Sequence, residues 1–249
     1  DQGNFGIPQD PTVSLRTSFK EVTLKQEFIK AVKKINTVDG KPWLTNKQLE
    51  DLYNETIATE KTNVSLLEAN KQVFEKLIGV TKTTVAKNEV TGEENPLVKL
   101  IDFKQWDNNE FVAINQFRVV TPGGPRAGII PDIVLFVNGL PFCVVECKDV
   151  DVADPISSAV EQIMRYANTR DDDFGFTDGE ERLFHYNLFS IATHGEEARV
   201  GSITGDFEYY LNWKDIFPEV YRNIDLLNYA AEETARYQNN GLHNDPRVR

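Results

Sequence analysis

Pro131-Asp-Ile-Val-Leu-Phe-Val-Asn-Gly-Leu-Pro-Phe-Cys-Val-Val-Glu-Cys-Lys148 is the stretch from which the rest of the chain can be read. Two apolar, β-branched runs flank Asn138-Gly139, a strong signal for a β-hairpin. Charge interrupts these runs near their outer ends: Asp132 on the first strand, Glu146 and Lys148 on the second. Side chains alternate along a strand, so Glu146 and Lys148 share a face with Val144, while Cys143, Val145 and Cys147 take the other. A buried strand holds a carboxylate and an ammonium only when they are satisfied, by mutual pairing or by a metal ion. Two carboxylates beside a lysine suit a hard divalent cation with oxygen ligands and a water-activating or electrophilic partner. The residue count across the turn adds a condition. With Asn138-Gly139 alone as the loop, Val137 faces Leu140 and Asp132 faces Val145, which leaves Glu146 on the opposite face of the sheet. One extra residue puts Asp132 opposite Glu146. A three-residue turn that takes in Leu140 and pairs Val137 with Pro141 would supply it, and so would a bulge.

Downstream of the hairpin, Asp154-Pro155 is an N-cap followed by proline at the first helical position. Ile156, Val160, Ile163 and Ala167 then recur at helical spacing and predict a helix to about Asn168. Gln162 and Tyr166 lie one turn apart, about 100° off that apolar stripe, on an edge from which they reach towards Lys148. Residues 170–179 read as an acidic loop, 188–193 and 198–203 as strands, 220–237 as a helix and 243–249 as a polar tail. Upstream, periodicity predicts helices over 18–35 (with Val22-Thr23-Leu24 open to another form), 46–57 and 65–78, the last closed by Gly79. Strands are expected at 83–90, 97–103 and 110–120, and a loop at 121–128. The order helices, strands, hairpin, helix, strand predicts an α/β fold with a central mixed sheet flanked by helices.

Several other residues attract a chemical reading and lose it. Gly123 to Gly128 has the glycine spacing of a phosphate loop, but Ile129-Ile130 stand where Lys-Ser/Thr is required, so it is no ATP site. Arg126 reads as part of a plain surface loop. His185, His194 and His243 lack metal-ligand spacing and read as structural or exposed. Glu68, in "LLEAN", reads as a helix-capping glutamate as well as it reads as an extra site acid.

Taken together, Pro131-Asp132, then Glu146-Cys147-Lys148, resembles the Pro-Asp…(Asp/Glu)-x-Lys core of the PD-(D/E)xK nucleases. The longer blocks "PDIVLFVNGLPFCVVECK", "AVEQIMRYANTR" and "LFSIATHGEEARVGSITG" resemble, in order, the N-terminal nuclease region of the R (restriction) subunit of type I restriction–modification enzymes. The upstream blocks "SFKEVTLKQEFIKAVKKIN", "LLEANKQVFEKLIGV" and "LVKLIDFKQWDNNEFVAINQF" do the same, and the similarity covers roughly residues 16 to 205. The resemblance implies a restriction-endonuclease-like core and Mg²⁺-dependent (or other divalent-cation-dependent) cleavage of double-stranded DNA. It implies Asp132, Glu146 and the Cys147 backbone carbonyl as metal ligands, Lys148 as the residue that polarises the attacking water or steadies the phosphate, and Gln162 and Tyr166 as support for the site or the DNA. It further implies modification and specificity subunits as partners, and ATP use only through motor domains outside this chain. The expected division is 1–60 as an N-terminal helical segment, 61–210 as nuclease core and 211–249 as a helical segment leading to the motor. A non-cleaving, nuclease-like docking module of the same complex and a stand-alone repair nuclease are the competing readings. The intact carboxylates and lysine speak against the first, and the upstream helical blocks and acidic balance against the second.

Composition bounds these expectations. A chain of 249 residues that is 40% hydrophobic and 27% charged has material for one large domain or one domain with appendages. No apolar run approaches the roughly 18–20 residues that span a bilayer. The N-terminus carries no basic-then-apolar leader, and a start at Asp1 reads as a trimmed piece of something longer. Cys143 and Cys147 sit about 13 Å apart along one strand, too far for a disulfide, which fits a reducing, cytoplasmic setting. A net charge of −12 argues against a general nucleic-acid coating protein. Tight DNA holding is expected to fall to other domains or subunits.

Overall fold

In a computed structural model of the chain, residues 8–121, 128–149, 151–169, 178–194 and 197–213 are described. A six-stranded sheet organises them, in the order β3 (Phe111–Asn115), β4 (Ile133–Val137), β5 (Leu140–Cys147), β6 (Phe189–Thr193), β7 (Ala198–Gly201) and β8 (Leu211–Asn212). β1 (Thr37–Val38) and β2 (Lys41–Pro42) form a separate two-residue ribbon. Within the large sheet β5 and β6 are parallel and every other pair is antiparallel. A parallel pair needs a long crossover. Here α4 (Pro155–Tyr166) and a 3₁₀ segment, Glu181–Tyr186, lie within it. β5 is buried from Leu140 to Glu146. A strand covered on both faces carries a continuous apolar run, and this accounts for the composition of the quoted stretch.

The hairpin closes on a two-residue turn: Asn138 and Gly139 both have positive φ, 49° and 77°, and Val137 pairs with Leu140. The three-residue alternative is therefore not used. The extra residue comes from a bulge, because Phe136 pairs with Pro141 but Leu135 pairs with Cys143. The turn is also a docking point. The Gly139 carbonyl accepts the Leu24 amide at 2.8 Å, and a β-carbon on Gly139 would sit 2.4 Å from the Leu24 oxygen. Asn138, fully buried, donates through Nδ2 to the Leu100 carbonyl and Asn109 Oδ1 and accepts the Glu110 amide.

The helices follow the apolar periodicity. α1 (Lys25–Ile35) buries Phe28, Ala31, Val32 and Ile35. It begins later than the expected residue 18, because the Glu21 carboxylate accepts the amides of Thr17 and Ser18 and the Thr17 hydroxyl, holding 17–21 in a local turn. α2 (Asn46–Thr56) starts at a Thr45/Gln48 capping box, and α3 (Leu66–Leu77) at Ser65. The expected strands at 83–90 and 97–103 reduce to the isolated bridges Thr84–Leu97 and Lys87–Glu94. Side chains have taken the backbone groups a ladder would use. Asn36 holds both the amide and the carbonyl of Lys99, Asn109 holds the Asp102 amide, and Asn88 holds the amides of Val90 and Thr91. β3 stops at Asn115, short of the expected residue 120, where Gln116 turns to a left-handed φ of 50°. One core cluster takes residues from α1, α2, α3, the sheet and α4. Among the described residues no helix is long and apolar enough to cross a membrane. The expected helix at 220–237 and the tail at 243–249 lie outside the described residues.

Candidate active site

The bulge in the hairpin decides the geometry of the charged residues. Ile133 pairs with Val145, so the next position outward sets Asp132 against Glu146. The Asp132 carboxylate is held at both oxygens: Oδ2 accepts the Cys147 amide at 2.8 Å, and Oδ1 accepts Gln116 Nε2 at 3.0 Å. Lys148 follows β5 directly, and its amide donates to the Thr193 carbonyl at 2.8 Å, so its backbone stays anchored to β6. Its ammonium donates to Glu146 Oε1 at 3.0 Å and to Gln162 Oε1 at 2.6 Å.

From Gln162 the contacts continue as a chain. Gln162 Nε2 donates to the Tyr166 hydroxyl at 2.6 Å, and that hydroxyl donates to the Ile130 carbonyl at 3.1 Å. The direction of each bond follows from the ends. An ammonium only donates, so Gln162 must present its oxygen to Lys148 and its nitrogen to Tyr166; a main-chain carbonyl only accepts, so Tyr166 must donate onward. α4 is seated for this by Ile156, Ala159, Val160 and Ile163, all buried. Gln162 is half-buried, whereas Tyr166 is 2% exposed. Of these two edge residues, only Gln162 keeps partial access to solvent. The Tyr166 phenol is a strut from α4 to the segment before Asp132, packed where no sugar or base reaches it, and burial pushes its pKa up.

Glu146 is the strained member. Its side chain is 2% exposed, and Oε2 has no hydrogen-bond partner among the described residues. Burial first, and then the neighbouring charge of Asp132, raise its pKa to about 7, against the opposing pull of Lys148. The Cys147 thiol points away, is exposed, and is shifted up by partial burial and by the two acids. Among the described residues no three His, Cys, Asp or Glu side chains gather as a metal cage. Any cation at the Asp132–Glu146 pair would draw its other ligands from the main chain, water or a phosphate, which is the habit of Mg²⁺. The unpartnered, buried Oε2 beside a second carboxylate fits such an ion.

Other candidates fall elsewhere. Glu68 is exposed in the first turn of α3 and accepts Gln72 Nε2 at 3.0 Å. His185 is buried and His194 half-buried. Arg126 and residues 123–127 lie outside the described residues. Gln116 was not singled out from the sequence, although a signal for it exists. The inward-facing positions of its segment run Val112, Ile114, then Phe117, Val119, and that change of parity marks an inserted residue.

Residues 4–209 match the family described as Type I restriction enzyme R protein N terminus. The chain belongs to this family. Among curated relatives of this R-protein N terminus, the type I restriction enzyme HindI endonuclease subunit of Haemophilus influenzae is 30% identical over 202 residues, 80% of this chain and 17% of the relative. A putative type I restriction enzyme MjaIXP endonuclease subunit of Methanocaldococcus jannaschii is 29% identical over 212 residues, 85% of this chain and 18% of the relative. The R-protein N terminus thus spans under a fifth of the length of these relatives. Its helix-flanked, six-stranded mixed sheet is a restriction-endonuclease-like core.

Proposed function

We propose that this chain is the nuclease module of a type I restriction enzyme, hydrolysing phosphodiester bonds of double-stranded DNA with a divalent cation, in the manner of PD-(D/E)xK enzymes. The observation that carries the proposal is the bulge-dependent meeting of Asp132 with Glu146, capped by the Lys148 ammonium. Asp132 and Glu146 would hold the cation, with the Cys147 backbone carbonyl as a third ligand. Bound there, Mg²⁺ would supply Lewis-acid polarisation of the phosphate and a more acidic water. Lys148 carries the positive charge that steadies the scissile phosphate or orients the attacking water. Gln162 and Tyr166 fix where that charge sits by tying Lys148 to the Ile130 main chain.

The net charge of −12 suits a module that does not hold DNA alone. In the same proposal, modification and specificity subunits choose the site, ATP is consumed in motor domains and not here, the nuclease core spans 61–210, and the assembly works in the cytoplasm. The test is cleavage of double-stranded DNA by the assembled enzyme with Mg²⁺, comparing wild type with Asp132→Ala and Glu146→Ala. Both variants should lose cleavage while keeping the circular dichroism of the folded domain. Cleavage retained in both would overturn the assignment and favour a docking role.

A further inference from the structure

Gln116 occupies a backbone conformation that its side-chain type does not favour. Its φ is 50°, in the left-handed region that glycine and asparagine enter with least strain. The backbone there does a definite job: the Gln116 amide donates to the Asp132 carbonyl at 2.7 Å, and the next amide, of Phe117, donates to the Pro131 carbonyl at 3.0 Å. The left-handed residue ends regular β3–β4 pairing immediately beside Asp132 and turns the side chain of Gln116 towards it. Glycine would meet the backbone need with less strain. What glycine lacks is the amide group, and Gln116 Nε2 reaches Asp132 Oδ1 at 3.0 Å.

We infer that Gln116 is a positioning residue for Asp132, fixing through its side-chain amide the rotamer in which that carboxylate faces Glu146. Two separate donors then define the carboxylate plane: the Cys147 amide from β5 at Oδ2, and Gln116 from the end of β3 at Oδ1. With only the first, the carboxylate would be free to rotate about its last bond. With both, each oxygen still has a lone pair to offer a cation, since a carboxylate accepts at about four sites. Strain kept at such a position points to function when the side chain paired with it does something the backbone alone does not require. The inference rests on the metal-binding role proposed above for Asp132 and Glu146.

The test uses the 249-residue chain and Mn²⁺ as probe, with affinity read by calorimetry and folding by thermal denaturation. Gln116→Gly removes the amide and relieves the left-handed strain. Gln116→Asn also accepts that backbone, but its amide is one methylene short of Asp132. Both should keep or raise the melting temperature and weaken Mn²⁺ binding roughly tenfold, as loss of an outer-sphere ligand-orienting contact does. Asp132→Asn is the control and should weaken Mn²⁺ binding more than either. If Asp132→Asn binds Mn²⁺ as well as wild type does, the metal site itself is wrong and this inference falls with it. If Asp132→Asn loses Mn²⁺ while both Gln116 variants bind it unchanged or more tightly, the metal site stands and Gln116 does not position it. A fall in melting temperature of both variants with unchanged Mn²⁺ affinity would show Gln116 to be purely structural.

Discussion

Replacing Glu146 with glutamine should stabilise the metal-free domain at alkaline pH and weaken its hold on a cation. The Glu146 side chain is 2% exposed and its pKa is raised to about 7 from the ordinary 4.5, chiefly by burial. The sign follows from proton binding. Below about pH 4.5 the carboxyl is protonated in the folded and unfolded chain alike and burial carries no ionic penalty. Between about 4.5 and 7 the unfolded chain has lost the proton while the folded chain keeps it, so stability falls as pH rises. Above about 7 the full penalty is in place, and a rise from 4.5 to about 7 corresponds to about 3 kcal/mol. Glutamine is nearly isosteric, keeps an oxygen for Lys148, and has no charge to bury. Near pH 8 in chelator, Glu146→Gln should therefore melt above wild type by about 6–12 °C, taking 2–4 °C per kcal/mol for a domain of this size. Near pH 5 the gain should shrink to under about 1 kcal/mol. Glu60, with a pKa raised to about 7, and His185, lowered to about 4, titrate over the same range. Both are present in each protein and cancel in the difference. Adding Mn²⁺ near pH 8 should raise the melting temperature of wild type and leave that of the variant nearly unchanged. A variant less stable than wild type at both pH values would refute the reasoning, since Glu146 would then be a stabilising partner of Lys148 and not a carboxylate under tension.

Three further substitutions test the supports of the site and the turn beneath it. Tyr166→Phe removes a buried hydroxyl that links Gln162 to the Ile130 carbonyl, and should cost about 1–2 kcal/mol in urea unfolding as well as slowing cleavage, whereas Gln162→Ala should slow cleavage with little change in melting temperature. Gly139→Ala forces a β-carbon to within 2.4 Å of the Leu24 oxygen at a φ of 77°, and should lower stability by about 2–4 kcal/mol or prevent folding, as read by denaturant titration.

Much of this architecture can be read from local pattern, and the failures have a common cause. The hairpin was legible because Asn-Gly between β-branched runs leaves few alternatives, and the need for an extra residue followed from counting side-chain parity from Asp132 to Glu146. The position of that residue was not legible. A bulge after Pro141 and a longer turn satisfy the same count, and the tight turn goes with long-range contacts, of Gly139 with the start of α1 and of Asn138 with Leu100, Asn109 and Glu110. The α4 stripe announced its buried face, but a tyrosine one position from the stripe can point either way, and the Ile130 carbonyl that draws Tyr166 inward is 36 residues away in sequence. The two strands lost from the expected set, at 83–90 and 97–103, are segments whose backbone groups are claimed by Asn36, Asn88 and Asn109. Such side-chain competition depends on contacts up to 63 residues distant, which periodicity does not register.

The arrangement of supports leaves the two facing acids unequally satisfied. Asp132 has a neutral N–H donor on each oxygen, supplied from the end of β3 and from β5. Glu146 has one ammonium on Oε1 and nothing on Oε2 among the described residues. Counting formal charges, two carboxylates meet one lysine, and the lysine is drawn off-centre by Gln162 at 2.6 Å. Were the site only a structural ion pair, closing it would require a partner for Oε2, and Lys148 would be the obvious one. The chain of bonds from Ile130 through Tyr166 and Gln162 holds Lys148 to the Oε1 side instead, at the expense of leaving the other oxygen bare in a buried place. That placement leaves a negative imbalance between two rigidly held carboxylates, which a divalent cation would offset and which no described side chain offsets.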